Sequence, residues 1–469
     1  LAKANIFKQN LQLRDASGDK MKKNNKIYLP GIIFSGILVF AVVLYQSLVF
    51  PDVIHLKNGR EMTGVIERQD DERIFLRIRM GVIGVNRDEI EKIEKTDDKR
   101  KEAVETEDKG KWSEADKRRK EFEEKQIGKG LVEYKGRWIT PEEKAREELP
   151  EIKISNRRIY KDGKPFFIKG IDYSLNYPKM KRFQDIPISI WEKDFQMIKE
   201  LGANTIRTYA PLPPELLDLA EKYHLMVIET IIYPNSRTDY TSEEERQKLI
   251  NEALRIVRRD KLRPCILMWN IWNDAPFHWE SAGNVVSRFG FEKVNQFLKE
   301  IYQTVKKEDL NHPVTGSNIM DLPGYNLGFD FLDTIGIHAF VGLGRESGWF
   351  EGVYTQSKAR TDVAKMVNIS QEYDKPVYIA ETGYSTFCKA GRQEEIIKRQ
   401  IISTGESLSG IIIFEWADEW WKAGNPQLQD RHIEEHWGIT DAYRNPKPGY
   451  QGISDLFRAI QTESQGYSR

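Results

Sequence analysis

From residue 166 onward the chain repeats one alternation: a short apolar run, then an amphipathic stretch, eight times over. The runs are F-F-I-K-G-I-D (166–172), N-T-I-R-T-Y (204–209), L-M-V-I-E-T (225–230) and C-I-L-M-W-N-I-W-N-D (265–274). They continue as P-V-T-G-S (313–317), D-T-I-G-I-H-A-F (333–340), P-V-Y-I-A-E-T (376–382) and G-I-I-I-F-E-W (410–416). Between them lie helix-like segments such as W-E-K-D-F-Q-M-I-K-E-L and P-E-L-L-D-L-A-E-K-Y. Strands joined by helices pair in parallel and need cover on both faces, which places the chain in the α/β class. A count of eight predicts a (β/α)8 barrel. A doubly wound sheet gives the same alternation. The barrel is favoured by the polar residues that end so many runs, because barrel sites gather at the C-terminal ends of the strands.

Those ends carry Asp172, Arg207, Glu229, Asn273, Asp274, His338, Glu381, Glu415 and Trp416. Taken singly, a strand-end carboxylate is more often a helix cap or an ion-pair partner than a catalyst. In a barrel they converge on one face, interspersed with aromatic residues. Such a constellation suits glycoside hydrolysis, which uses two carboxyl groups flanking the sugar bond. Aromatic rings serve the same chemistry by covering the apolar C–H faces of pyranose rings; Trp272, Trp279, Trp349, Trp416, Trp420 and Trp421 all lie at or after run ends.

Over roughly residues 152–458 the motifs resemble the catalytic barrel of glycoside hydrolase family 2 and its wider clan of retaining glycosidases. The resemblance is carried by I-Y-K-D-G-K-P-F-F-I-K-G-I-D, G-A-N-T-I-R-T-Y, R-P-C-I-L-M-W-N-I-W-N-D-A-P, K-P-V-Y-I-A-E-T-G-Y-S, G-I-I-I-F-E-W-A-D-E-W-W and W-G-I-T-D-A-Y-R-N-P-K-P-G-Y, in that order. It implies Glu381 as nucleophile, Asp274 as acid/base, and Arg207 as the charge that keeps Glu381 ionised. Asn273 would bond the hydroxyl beside the reacting carbon, and Trp416 would floor the sugar site. His338, Asp172, Tyr209, Glu229, Trp272 and Tyr384 complete the expected substrate-binding set. Two positions depart from the family pattern. Asp274 stands where the family has glutamate, and the strand-six tyrosine whose hydroxyl meets the nucleophile is replaced by Phe340. The family's sugar-binding β-sandwich domains have no counterpart in this sequence. The implied activity is hydrolysis or transglycosylation of a β-linked glycan; the alternative is a glycan-binding scaffold on a retired barrel. Neither reading requires a cofactor, and no Cys/His spacing signals a metal site.

The remainder divides into 1–26, a basic tail; 27–50, uncharged throughout; 51–96, a small β domain; 97–150, a charged helical linker with a hairpin; and 151–469, the barrel. As a helix, residues 27–50 would reach roughly 36 Å, enough to cross a hydrocarbon core of about 30 Å. The lysines and arginines before it place the tail in the cytoplasm and all that follows Pro51 outside, as a single-pass anchor. Residues 52–95 read as short strands with an Asn58-Gly59 turn and resemble Sm-like barrels, which are assembly or spacer modules that can carry a protein partner. From Lys95 to Gln126 charges of both signs interleave, the pattern of a solvated helix or spacer. Overall, 72 basic residues balance 72 acidic ones, so nothing global points to nucleic acid. Cys265 sits in an apolar run and reads as a small buried hydrophobe.

Overall fold

A computed structural model describes residues 52–78, 81–95, 114–180, 182–234, 237–274, 285–344 and 353–466. The expected anchor at 27–50 and the basic tail lie outside these residues. No described helix is long and apolar enough to cross a membrane. The chain divides into two compact units, Asp19–Pro141 and Glu142–Arg469.

In the first unit five strands, β1 (Asp52–Leu56), β2 (Glu61–Gln69), β3 (Arg73–Ile78), β4 (Gly81–Asn86) and β5 (Ile90–Glu94), pair in the order β4-β3-β2-β1-β5. All of these pairings are antiparallel. Gly59 takes the positive φ (81°) that the Asn58-Gly59 turn demands. Ile54, Leu56, Ile74, Leu76 and Val85 form the core of the sheet. The expected small all-β domain is seen in part, as a five-stranded antiparallel sheet in which no ladder among the described residues joins β4 to β5. The charged stretch becomes a helix at Glu114–Gly128, followed by a hairpin of β6 (Val132–Tyr134) and β7 (Arg137–Ile139). Lys135 and Gly136 both have positive φ at its turn.

The second unit opens with the helix Pro141–Glu148, which has Pro at its first position and Glu142 and Glu143 in its first turn. A hairpin of β8 (Ile152–Ser155) and β9 (Arg158–Lys161), edged by β10 (Lys164–Pro165), leads into the barrel. The barrel closes from eight parallel strands in sequence order. These are β11 (Ile168–Tyr173), β12 (Thr205–Thr208), β13 (Met226–Thr230), β14 (Ile266–Asn273), β15 (Val314–Ile319), β16 (Thr334–His338), β17 (Val377–Thr382) and β18 (Gly410–Ile413). The last pairs with the first, Ile168 opposite Gly410. All eight strands fall within or overlap the apolar runs read from the sequence, and the doubly wound alternative is set aside.

Side chains alternate across each strand, so the barrel builds two cores. Inside, Ile168, Met226, Ile228, Leu267, Met268, Tyr378 and Ile412 pack with Ile152 and Ile159 of the lead-in hairpin. The hairpin thereby plugs the end of the barrel away from the site. Outside, the strands meet amphipathic helices such as Glu243–Asp260, which buries Leu249, Ala253, Ile256 and Val257 and is N-capped by Ser242 Oγ on the Glu245 amide (3.2 Å).

Trp272 lies in this outer layer. Its indole N–H donates to Asn318 Oδ1 (3.0 Å), and its ring lies over two glycines, Gly316 of β15 and Gly328. The residue expected to line the substrate site is therefore a packing residue. A Cβ on Gly316 would sit 2.2 Å from the ring. Gly316→Ala should cost about 1–3 kcal/mol of stability through overpacking. A denaturant midpoint unchanged from wild type would show that the indole is free to yield.

Candidate active site

Arg207, on β12, is fully buried, and its partners come from five other strands. One terminal nitrogen donates to Asp172 Oδ1 of β11 (2.7 Å) and to Glu381 Oε1 of β17 (3.3 Å). The other donates to Asn273 Oδ1 of β14 and to Ser317 Oγ of β15 (2.8 Å), and lies 3.2 Å from His338 Nε2 of β16. Burial alone would disfavour the guanidinium, but Asp172, Tyr209 and Glu381 outweigh it and hold the pKa well above the ordinary arginine value. The charge is permanent.

That permanence fixes the histidine. A guanidinium only donates, so Nε2 of a neutral His338 must accept from Arg207 and the ring proton sits on Nδ1. Nδ1 lies 2.8 Å from Asp274 Oδ1 and 3.4 Å from Glu381 Oε2. This ring nitrogen thus lies close to both carboxylates, without hydrogen-bond geometry to either. One oxygen of each carboxylate and the imidazole nitrogen all lie within 4.8 Å of one another, a grouping that could also hold a metal ion. A proton on Nδ1 and the neighbouring Arg207 charge both oppose that use.

Glu381 receives a second donor, the hydroxyl of Tyr209 to Oε1 at 2.8 Å. Burial, reinforced by Asp172 and Glu381, pushes the phenol far above its usual pKa, so it stays protonated and donates. Phe340 lacks a hydroxyl, and Tyr209, just after β12, supplies one to Glu381 instead. Asp274 follows β14 with φ 52°, in the left-handed region that Asp tolerates better than most residues. Asn273 Nδ2 donates to its Oδ2 at 3.1 Å.

Asp172, Arg207, Tyr209, Asn273, Asp274, His338 and Glu381 are therefore brought together, as expected. Four others are not placed as expected. Besides Trp272, Trp416 packs in the outer core with its ring 6.4 Å from that of Tyr450, because β18 ends at Ile413 and the chain has turned before residue 416. The aromatic beside the centre is Phe414, with ring contacts to Tyr209 (6.5 Å), Phe340 (6.3 Å) and Trp437 (5.7 Å). Behind it, buried Lys422 sits over the Phe414 ring and pairs with Glu415 and Glu419. Tyr384 is buried in the layer next to the helix Gln393–Thr404, its carbonyl accepting from Gln393 Nε2 (3.1 Å). Sequence reasoning missed Phe414 and Ser317; the latter was visible as the polar end of P-V-T-G-S.

Glu229 faces out of the barrel, accepting from the Leu212 amide (2.8 Å) beside Arg259 (3.6 Å). Burial, helped by Asp260, pushes its carboxyl up to about 8. A folded-state pKa above the unfolded one favours folding through the protonated form; that contribution is complete below about 4.5 and is lost as pH rises through about 8. Glu229→Gln should thus gain melting temperature over wild type progressively from about pH 5 to 8. A difference independent of pH would refute this assignment.

Residues 152–447 match the family described as glycosyl hydrolases family 2, TIM barrel domain. Among curated proteins, the chain is similar to the β-glucuronidase of Rattus norvegicus, 25% identical over 334 residues, covering 67% of this chain and 48% of that protein. The Homo sapiens β-glucuronidase is 24% identical over 241 residues, covering 50% and 33%. Among solved structures, the GH2 β-galacturonidase of Eisenbergiella tayi bound to galacturonate aligns with TM-score 0.54 at 20% identity, over 66% of this chain and 54% of that one. The Faecalibacterium prausnitzii β-glucuronidase gives 0.55 at 18%, over 66% and 52%. The chain spans between a third and about half the length of the curated relatives named here. Since the family match covers more than half of the sequence and the barrel it describes is the one observed, this chain belongs to the glycosyl hydrolases of family 2.

Proposed function

We propose that this chain is a β-glycosidase that works with retention through two carboxylates, Glu381 as nucleophile and Asp274 as acid/base. The observation that carries the reading is their approach: an oxygen of each lies within 4.8 Å of the other, both against His338 Nδ1. Retaining enzymes hold the pair roughly 5–5.5 Å apart and inverting ones roughly 6.5–9.5 Å, to leave room for a water. The aspartate, although one methylene shorter than glutamate, still brings an oxygen that close, which supports the retaining arrangement. The β configuration follows the names of the relatives.

The division of labour follows from the contacts. Arg207 and Tyr209 both donate to Glu381 Oε1, so its negative charge is stabilised and its position set. Ionised, it attacks the anomeric carbon. Asp274 gives its proton to the departing oxygen, then takes one from the incoming water or glycan hydroxyl. Asn273 has its carbonyl held by Arg207 and Ser317, which turns its amide toward Asp274 and leaves a second N–H for a sugar hydroxyl. We further propose that the enzyme is tethered through residues 27–50 with its tail in the cytoplasm, a reading supported by the uncharged stretch and the basic residues before it.

An activated 2-fluoro β-glycoside should leave a covalent sugar on Glu381, seen by peptide mass, and Glu381→Gln should abolish it. Oligosaccharide binding without label or turnover would instead make the barrel a glycan-binding scaffold. For the tether, the full chain should sediment with membranes and be released on deletion of residues 1–50. Equal solubility of both forms would rule the anchor out.

A further inference from the structure

A cavity of about 590 Å³ opens beside the reacting carboxylates, inside the roughly 300–1,000 Å³ range of small-ligand sites. Tyr209, whose hydroxyl bonds Glu381, forms part of its wall, so cavity and nucleophile share a side chain. The rest of the wall comes from segments after β11, β12, β13 and β18. None of its described lining residues comes from the ends of β14 to β17.

The chemistry gives this placement a meaning. Asp274, after β14, must face the leaving oxygen, so the leaving group departs on that side. The sugar attacked by Glu381 extends the opposite way, over β11 to β13, where the cavity lies. Its lining suits carbohydrate. Tyr177, Tyr233, Trp420 and Trp421 offer ring faces and edges, and Trp420 is braced edge-on by Tyr443 at 5.6 Å. The indole N–H groups of Trp420 and Trp421 are shielded from solvent and find no acceptor among the described residues. Asn176 and Gln427 add polar groups to the same wall.

Resting on the glycosidase reading, we propose that this cavity binds further sugar residues of a β-glycan chain on the non-reducing side of the cleaved bond. The enzyme then selects oligosaccharide over a single terminal sugar.

The test compares nitrophenyl β-glycosides bearing one, two and three residues of the same sugar, in gluco, manno, galacto and N-acetylgluco series. In the preferred series kcat/KM should rise about tenfold or more from one residue to three, with the trisaccharide released intact. Trp421→Ala should lower kcat/KM on the three-residue glycoside about tenfold more than on the one-residue glycoside. A one-residue substrate cleaved as well as the longer ones, or a trisaccharide trimmed singly from its far end, overturns the proposal. If no series is cleaved, the glycosidase reading fails by itself. The cavity is then judged by tryptophan fluorescence with the free trisaccharides: a saturable change in wild type that Trp421→Ala removes upholds it, and no change overturns it.

Discussion

A guanidinium sealed inside the mouth of a barrel must be neutralised where it sits, and Arg207 organises the upper layer of this structure through that requirement. Breaking such a buried pair by removing one partner typically costs 3–5 kcal/mol, since it leaves an uncompensated charge. Here the partners are strand ends: Asp172, Asn273, Ser317, His338 and Glu381. Each of those strands is thereby held in one register at its C-terminal end. The same contacts bring a positive charge against Glu381, hold His338 Nε2 against the guanidinium and turn the Asn273 amide toward Asp274. Position and electrostatics come from one side chain.

Two features that depart from the family pattern find their compensation nearby. The strand-six aromatic, Phe340, brings no hydroxyl, and Tyr209 from the other side of the barrel donates to Glu381 in its place. Burial keeps that phenol protonated, so it remains a donor across the working pH range. The shorter acid, Asp274, is anchored by its own backbone, whose amide donates to the Ser317 carbonyl (2.8 Å), and by contact with His338.

The polar strand ends were legible before any coordinates, yet four of the residues expected at the site face elsewhere, Tyr384 beside Gln393 among them. Glu229 lies on β13, where the register shifts between Val227 and Ile228, and its carboxyl meets the Leu212 amide outside the barrel. Trp272 alternates outward from Asn273 and is held by the absence of side chains at Gly316 and Gly328. Trp416 lies beyond the last hydrogen-bonded residue of β18, so Phe414 takes the aromatic position beside Tyr209. In each case the residue type is right for a site. The facing depends on bulges and strand ends that a one-residue shift reverses.

By itself the sequence determined the barrel, because eight apolar runs separated by amphipathic helices have few other ways to bury both faces of a parallel sheet. It also placed polar candidates at the strands' C-terminal ends, which converge in any such barrel. Only the tertiary structure decided which of those ends point inward, where Arg207 finds its partners, and that Asp274 and Glu381 both lie close to His338 Nδ1. These depend on contacts between residues as far apart as Arg207 and Glu381, 174 positions along the chain, which no local pattern encodes.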